Sequence, residues 1–168
     1  MKQTLGIEQL RGLRHAETLD VFAAGHAPSM EALCGEYRAE LLAQRVGINT
    51  LARGAVQLEG WAFKAFLPGG THGDGYNGFL RRGRVRRRCR MRTFIGPSMW
   101  DGRMAFVLDY RPYRSIFGAV GMVDEIRVVG QGVMLGLGHM LKVTGRRPLP
   151  FALIGPPTAW VGPDRDEV

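Results

Sequence analysis

The sequence predicts a mainly β protein: an antiparallel β-barrel of about seven or eight strands, preceded by one N-terminal helix. Three observations carry this. Arginine occupies every second position from Arg84 to Arg92, and period 2 belongs to a strand with two unlike faces. Glycine is abundant, at 24 of 168 residues, which suits many short strands joined by turns. Helical periodicity is sustained in one place only, residues 4–24. The length fits a single domain over 1–168. It divides into the helix, a barrel over 35–155 and a C-terminal tail over 156–168 that is expected to fray.

The helix comes first. Ile7, Leu10, Leu13 and Leu19–Phe22 recur at three- to four-residue spacing, with Thr4 a candidate N-cap and Gly25 a candidate terminator before Pro28. It is expected to pack across one end of the barrel. Strands are then expected over Glu36–Ala43, Val56–Phe66, Tyr76–Leu80, Arg84–Ile95, Arg103–Tyr110, Val123–Val129, Val133–Val143 and Pro150–Ile154. Residues 68–75, rich in glycine, read as a loop. Asp101-Gly102 and Gly130-Gln131-Gly132 read as hairpin turns. A meander of this kind closes into a barrel, and an eight-stranded barrel is filled by side chains or holds one small ligand.

The arginine stripe is read with Arg84, Arg86, Arg88, Arg90 and Arg92 outward, and with Val85, Arg87, Cys89 and Met91 inward. Arg87 is thus the one cation expected on the inner face. Guanidinium groups at this density can neutralise phosphates. Nucleic acid is the weaker expectation, because no aromatic residue interleaves with the charge before Phe94. Neighbouring carboxylates satisfy the same strand equally well. The net charge is +8, with Lys+Arg 23 and only three lysines, Lys2, Lys64 and Lys142. A GC-rich coding background gives the same arginine bias, so the charge alone decides little.

Candidate chemistry lies in three places. Asp124-Glu125-Ile126-Arg127 puts Glu125 and Arg127 on one strand face and Asp124, Ile126 and Val128 on the other. His139 is the only imidazole on the apolar face Val133, Leu135, Leu137, His139 and Leu141. If those faces line a cavity, Glu125 or His139 acts as acid/base and Arg127 or Lys64 stabilises developing negative charge. Tyr37, Trp61, Lys64, Tyr76, Asn77, Arg87 and Tyr110 are candidate pocket residues, aromatic bodies or stems with polar tips. Gly136-Leu137-Gly138 lacks a third glycine and a following helix, so it is no dinucleotide loop. Cys34, Cys89 and four histidines show no metal-ligand spacing, and neither metal nor cofactor is expected. Nothing reads as a signal peptide or a membrane span, so a cytoplasmic protein with reduced thiols is expected. Membrane contact is not expected, and a homodimer is left open.

The order of motifs resembles the lipocalin plan. Gly35-Glu36-Tyr37 opens the first strand, and Val107-Leu108-Asp109-Tyr110-Arg111-Pro112-Tyr113 ends a mid-chain one. Gly35, Trp61-x-x-Lys64, Asp101-Gly102, Leu108-Asp109-Tyr110 and Asp124–Arg127 together are similar to small bacterial GXWXG-type domains of unknown function. Tyr37 stands for the family's tryptophan, Ala39 for the second glycine and Leu108 for a threonine. The resemblance, over roughly 35–155, implies a lipocalin-like (calycin) barrel with a central cavity. It implies no particular ligand. Binding of a small apolar molecule is therefore the leading expectation. A cofactor-free cyclase, isomerase or dehydratase in the same cavity is the first alternative, and nucleic-acid binding through Arg84–Arg92 the second.

Overall fold

The computed structural model describes residues 5–42 and 60–165. Eight strands close into one antiparallel barrel, each paired with its sequence neighbour and the last with the first. They are β1 (Gly35–Leu41), β2 (Trp61–Leu67), β3 (Gly73–Arg81), β4 (Arg84–Pro97), β5 (Met104–Asp109), β6 (Met122–Gly130), β7 (Val133–Met140) and β8 (Leu149–Thr158). Residues 56–59 of the expected second strand, Ala43 and the candidate cap Thr4 lie outside the described residues. Among the described residues, no helix is long and apolar enough to cross a membrane.

The N-terminal helix is two helices, α1 (Ile7–Arg11) and α2 (His15–Ala24). The break follows from caps. The Gly6 amide donates to Gln9 Oε1 at 2.7 Å and the Arg14 amide to Glu17 Oε2 at 2.8 Å, so each carboxyl or amide side chain starts its own helix. Gly12 closes α1. Nor do the helices cover an end. They lie on the outer wall, where Leu10 and Phe22 pack with Val133, Leu135, Leu137 and Ala152. A third, one-turn helix, α3 (Ile116–Ala119), sends Phe117 into the barrel interior instead.

Turn chemistry explains the hairpins. Arg82 and Gly83 both have positive φ (50° and 75°), joining β3 to β4 in two residues. Gln131 and Gly132 join β6 to β7 in two residues as well, with Gly132 at positive φ (68°). The expected loop 68–75 ends early, because β3 already begins at Gly73. The tail is not frayed over 156–165. β8 continues to Thr158, the Val161 and Gly162 amides donate to Tyr76 Oη (3.3 and 3.2 Å), and the Asp164 amide donates to the Arg87 carbonyl at 2.9 Å.

The arginine stripe is not one face. Tyr76 precedes a register shift: Gly75 pairs with Met91 but Asn77 with Arg88, leaving Cys89 as the extra residue of a bulge with φ 58°. A one-residue slip exchanges the faces. Arg90 and Arg92 stay on the outer wall. Arg86 and Arg88 instead pair with Phe79 and Asn77 and share their inner face towards the barrel mouth. Val85 is exposed rather than inward. Arg87 is an outer residue, its guanidinium 2.7 Å from Glu36 Oε1 and 5.7 Å from the Phe63 ring centroid. Carboxylates neighbour the others: Arg86 lies 3.1 Å from Asp164, Arg90 3.5 Å from Asp74 and Arg92 4.0 Å from Asp109.

Candidate functional site: a buried Lys–Asp–Tyr–Asn cluster inside the barrel

Away from its mouth the inner face of the barrel is largely apolar, and the charged groups buried there gather at one place. Tyr37, Phe66, Met91, Phe106, Leu108, Ile126 and Met134 fill much of it. Near Phe117, five polar-tipped residues converge from three strands, β2, β3 and β6, and the end of β5. Lys64 on β2 is 2% exposed, yet its ammonium lies 2.6 Å from Tyr110 Oη, 2.7 Å from Asp124 Oδ2 and 2.9 Å from Asn77 Oδ1. The Tyr110 hydroxyl donates to Asp124 Oδ2 at 3.0 Å. Asn77 Nδ2 donates to Tyr110 Oη at 3.0 Å and Trp61 Nε1 to Asn77 Oδ1 at 2.9 Å. The rings of Trp61, Tyr110 and Phe151 stand 5.1, 5.2 and 5.1 Å from the ammonium, an aromatic box around the charge.

Local sequence explains how the cluster fits. The inner positions of β7 beside it are Gly136 and Gly138 rather than side chains. The Phe151 ring covers Gly136, where a Cβ would fall 2.1 Å from it, and Asp124 Oδ1 occupies the space over Gly138. Two glycines thus make room for one aromatic wall and one carboxylate, which is the structural meaning of Gly136-Leu137-Gly138. Burial sets the electrostatics. Desolvation pulls the Lys64 pKa down, opposed by the Asp124 charge beside it. Desolvation and the same carboxylate hold the Tyr110 phenol well above its usual value, so it stays protonated.

Above the cluster is a small pocket, partly open to solvent, with a cavity volume of about 20 Å³. Its apolar walls are Leu41, Phe117, Met122, Leu149 and Phe151. That volume is room for about one water molecule, well below the roughly 300 Å³ at which ligand pockets begin.

The expected site residues divide by face. Trp61, Lys64, Asn77 and Tyr110 come together here. Tyr37 also points inward but packs on Phe66, ring centroids 5.9 Å apart, away from the pocket walls. Tyr76 and Arg87 are on the outer wall, where both bond Glu36 Oε1, at 2.6 and 2.7 Å, and Trp160 stacks over Tyr76. Glu125, Arg127 and His139 also face outward, not into the cavity expected for them. Glu125 pairs with Val107 and Leu137, and His139 with Val123, all on the outer face. They are buried there by other chain: Glu125 accepts from the Ser98 hydroxyl and the Met99 amide. His139 lies 3.7 Å from Glu125 Oε1, beyond hydrogen-bond reach, and burial lowers its pKa against the pull of Glu125 and Asp124, leaving it neutral near pH 7. Arg127 clamps Asp101 through both oxygens at 2.6 and 2.7 Å.

Asp124 was the missing member. Its strand neighbours on that face, Ile126 and Val128, are apolar, whereas Glu125 shares its face with Arg127. An acid among apolar inner residues was the available signal. Phe117, Phe151 and Gly138 carried no pattern of their own.

A crystal structure of a protein from Thermomonospora curvata is similar to this chain, with TM-score 0.59 and 14% identity over 86% of this chain and 88% of that one. This likeness supports the barrel fold. No family model matches the chain, and no curated protein matches it.

Proposed function

We propose that the protein is a lipocalin-like barrel that binds a small, largely apolar molecule in its central pocket. The observation that carries this reading is the fully buried Lys64–Asp124 pair at the floor of an otherwise apolar pocket. A buried ion pair is weak support for stability, since well-packed apolar residues of the same volume often do as well. A polar cluster at the base of an apolar cavity orients a ligand. Lys64, Asp124, Tyr110, Asn77 and Trp61 form that polar end, and Leu41, Phe117, Met122, Leu149 and Phe151 enclose the apolar body.

A second reading, a cofactor-free cyclase, isomerase or dehydratase, is favoured by one distance. Lys64 Nζ is 2.6 Å from Tyr110 Oη, and both reach Asp124 Oδ2, a path along which a proton can move. Tyr110 would donate and Asp124 accept, with Lys64 holding developing negative charge. The outward-facing Glu125, His139 and Arg127 have no part in it. Isothermal titration of the full chain against small lipophilic compounds tests both readings. Saturable one-to-one binding with a negative heat-capacity change is expected. Recovery of the compound unchanged supports a binding protein and conversion supports an enzyme. No saturable heat from any compound would overturn the pocket reading.

A further inference from the structure

Charge is distributed unevenly between the two ends of the barrel. In an antiparallel meander alternate connections share an end. Three described connections meet at the end where Phe117 enters the barrel: the β3–β4 tip (80–85), the β5–β6 connection (110–121) that carries α3, and the β7–β8 connection (141–148). They form one rim. Phe79, at the foot of the β3–β4 tip, lies against Phe117 of α3 with ring centroids 6.4 Å apart, and Lys142 Nζ donates to the Ala119 carbonyl at 2.9 Å. None of the three connections contains an aspartate or a glutamate. Arg81, Arg82 and Arg84 stand on the first, Arg114 on the second, and Arg146 and Arg147 on the third, all exposed. Asp109, at the base of the second, is held by Arg111 at 2.8 and 2.9 Å. The connections at the opposite end (68–72, 98–103 and 131–132) carry one arginine, Arg103, which donates to the Ala23 and Gly25 carbonyls.

Aliphatic side chains project among these cations. Leu80 (51% exposed) and Val85 (41%) pair across the β3–β4 tip, Ile116 (48%) starts α3, and Val143 (39%) follows Lys142. Exposed apolar residues scattered singly need no partner, but these four share one rim with the arginines. Arginines and aliphatic tips together match a surface of anionic headgroups over acyl chains. Single-stranded nucleic acid is met by stacking aromatic rings, and the exposed large apolar residues of this rim are all aliphatic. We infer that this end of the barrel docks on an anionic lipid bilayer, with the arginines at the headgroups and Leu80, Val85, Ile116 and Val143 in the interface. Docking of this kind needs no guest in the pocket. No single stretch of the sequence shows the surface, because the three connections stand far apart in the chain and meet only through the fold.

The full chain is mixed with vesicles of phosphatidylcholine alone, or of phosphatidylcholine with about a quarter phosphatidylserine, and the bound fraction is read by sedimentation at about 0.1 M salt. Binding to the anionic vesicles is expected to be at least about tenfold tighter than to the neutral ones. Arg82→Ala/Arg84→Ala and Leu80→Ser/Val143→Ser are each expected to lose about tenfold or more of it. Leu67→Ser, at an exposed position of the opposite end, is expected to lose nothing. Equal binding to both kinds of vesicle, or to neither, overturns the inference. Anionic binding that the Leu80→Ser/Val143→Ser chain keeps in full also overturns it, because charge attraction alone then suffices. Single-stranded polyuridine bound more tightly than the anionic vesicles overturns it in favour of nucleic acid. If a variant does not fold, amide exchange of the wild-type chain decides. Anionic vesicles are expected to slow exchange at 80–85, 114–118 and 142–147, and slowing at 98–103 instead overturns the inference.

Discussion

His139 shows what burial does to a single imidazole. It is fully buried, and neither ring nitrogen has a hydrogen-bond partner among the described residues. Desolvation therefore holds its pKa below the usual 6.5 in the folded chain. The unfolded chain binds the proton first, so this group's contribution to stability is present above about pH 6.5. It is lost as pH falls from 6.5 to the lower folded value, with a slope of at most about 1.4 kcal/mol per pH unit. Urea unfolding of wild type and His139→Leu between pH 5 and 8 should give curves that diverge only below that point. Parallel curves would show that the imidazole does not titrate differently on unfolding. Sequence legibility is also set at this scale. Trp61, Lys64, Asn77 and Tyr110 were readable as site residues because a polar tip on an inner strand position is conspicuous. Glu125, Arg127 and His139 were equally conspicuous, and the phase of their strands sent them outward.

Arg127 is the point where elements are joined. Its five N–H groups meet five acceptors: the Phe22 carbonyl at the end of α2, the Met104 and Arg103 carbonyls, and both Asp101 oxygens in the β4–β5 turn. A guanidinium is the one side chain with that many donors in a fixed plane. The Phe22 ring also stacks 4.5 Å from it. Arg127→Lys keeps the charge but offers three donors, leaving buried carbonyls unmet. The expected loss is about 2 kcal/mol or more. It should come with faster amide exchange in α2 than in β6, which locates the loss at the junction. Equal exchange rates in wild type and variant would show that the helices are held by apolar packing alone. Nothing in Asp124–Arg127 as a sequence announces a staple. Its partners arrive from residues about 20 to 105 positions away, and no local pattern encodes such a meeting.

Considered whole, the molecule has two apolar shells separated by one sheet. The inner shell fills the barrel, and the outer one lies between the barrel wall and the N-terminal helices. β7 is therefore buried on both faces along its whole length. This is why the sequence read Leu135, Leu137 and His139 as interior: an outer face under helices is as apolar as an inner one. The barrel class, strand order and most turns were legible because period 2 and turn residues are local. Which face is inner is a global property, set by what covers the other side. Removing residues 1–24 should uncover Val133, Leu135, Leu137 and Ala152. The truncated chain is expected to bind a hydrophobic dye and to self-associate in sedimentation runs. A monomeric, dye-free truncation would show that the barrel wall needs no cover.

The bulge at Cys89 has a meaning for how this chain is compared with any other. The ladder on each side of it is already in step, with Arg88 opposite Asn77 and the pairing resumed by Met91 opposite Gly75. Cys89 thus has the character of an insertion. A shorter chain lacking it would keep the arginines on their present faces and would forfeit the carbonyl that Asn77 touches. A gap opened between Arg84 and Arg88 would exchange the two walls of the hairpin arm. An alignment across this arm should therefore place its gap at position 89, however even the arginine spacing makes the neighbouring positions look.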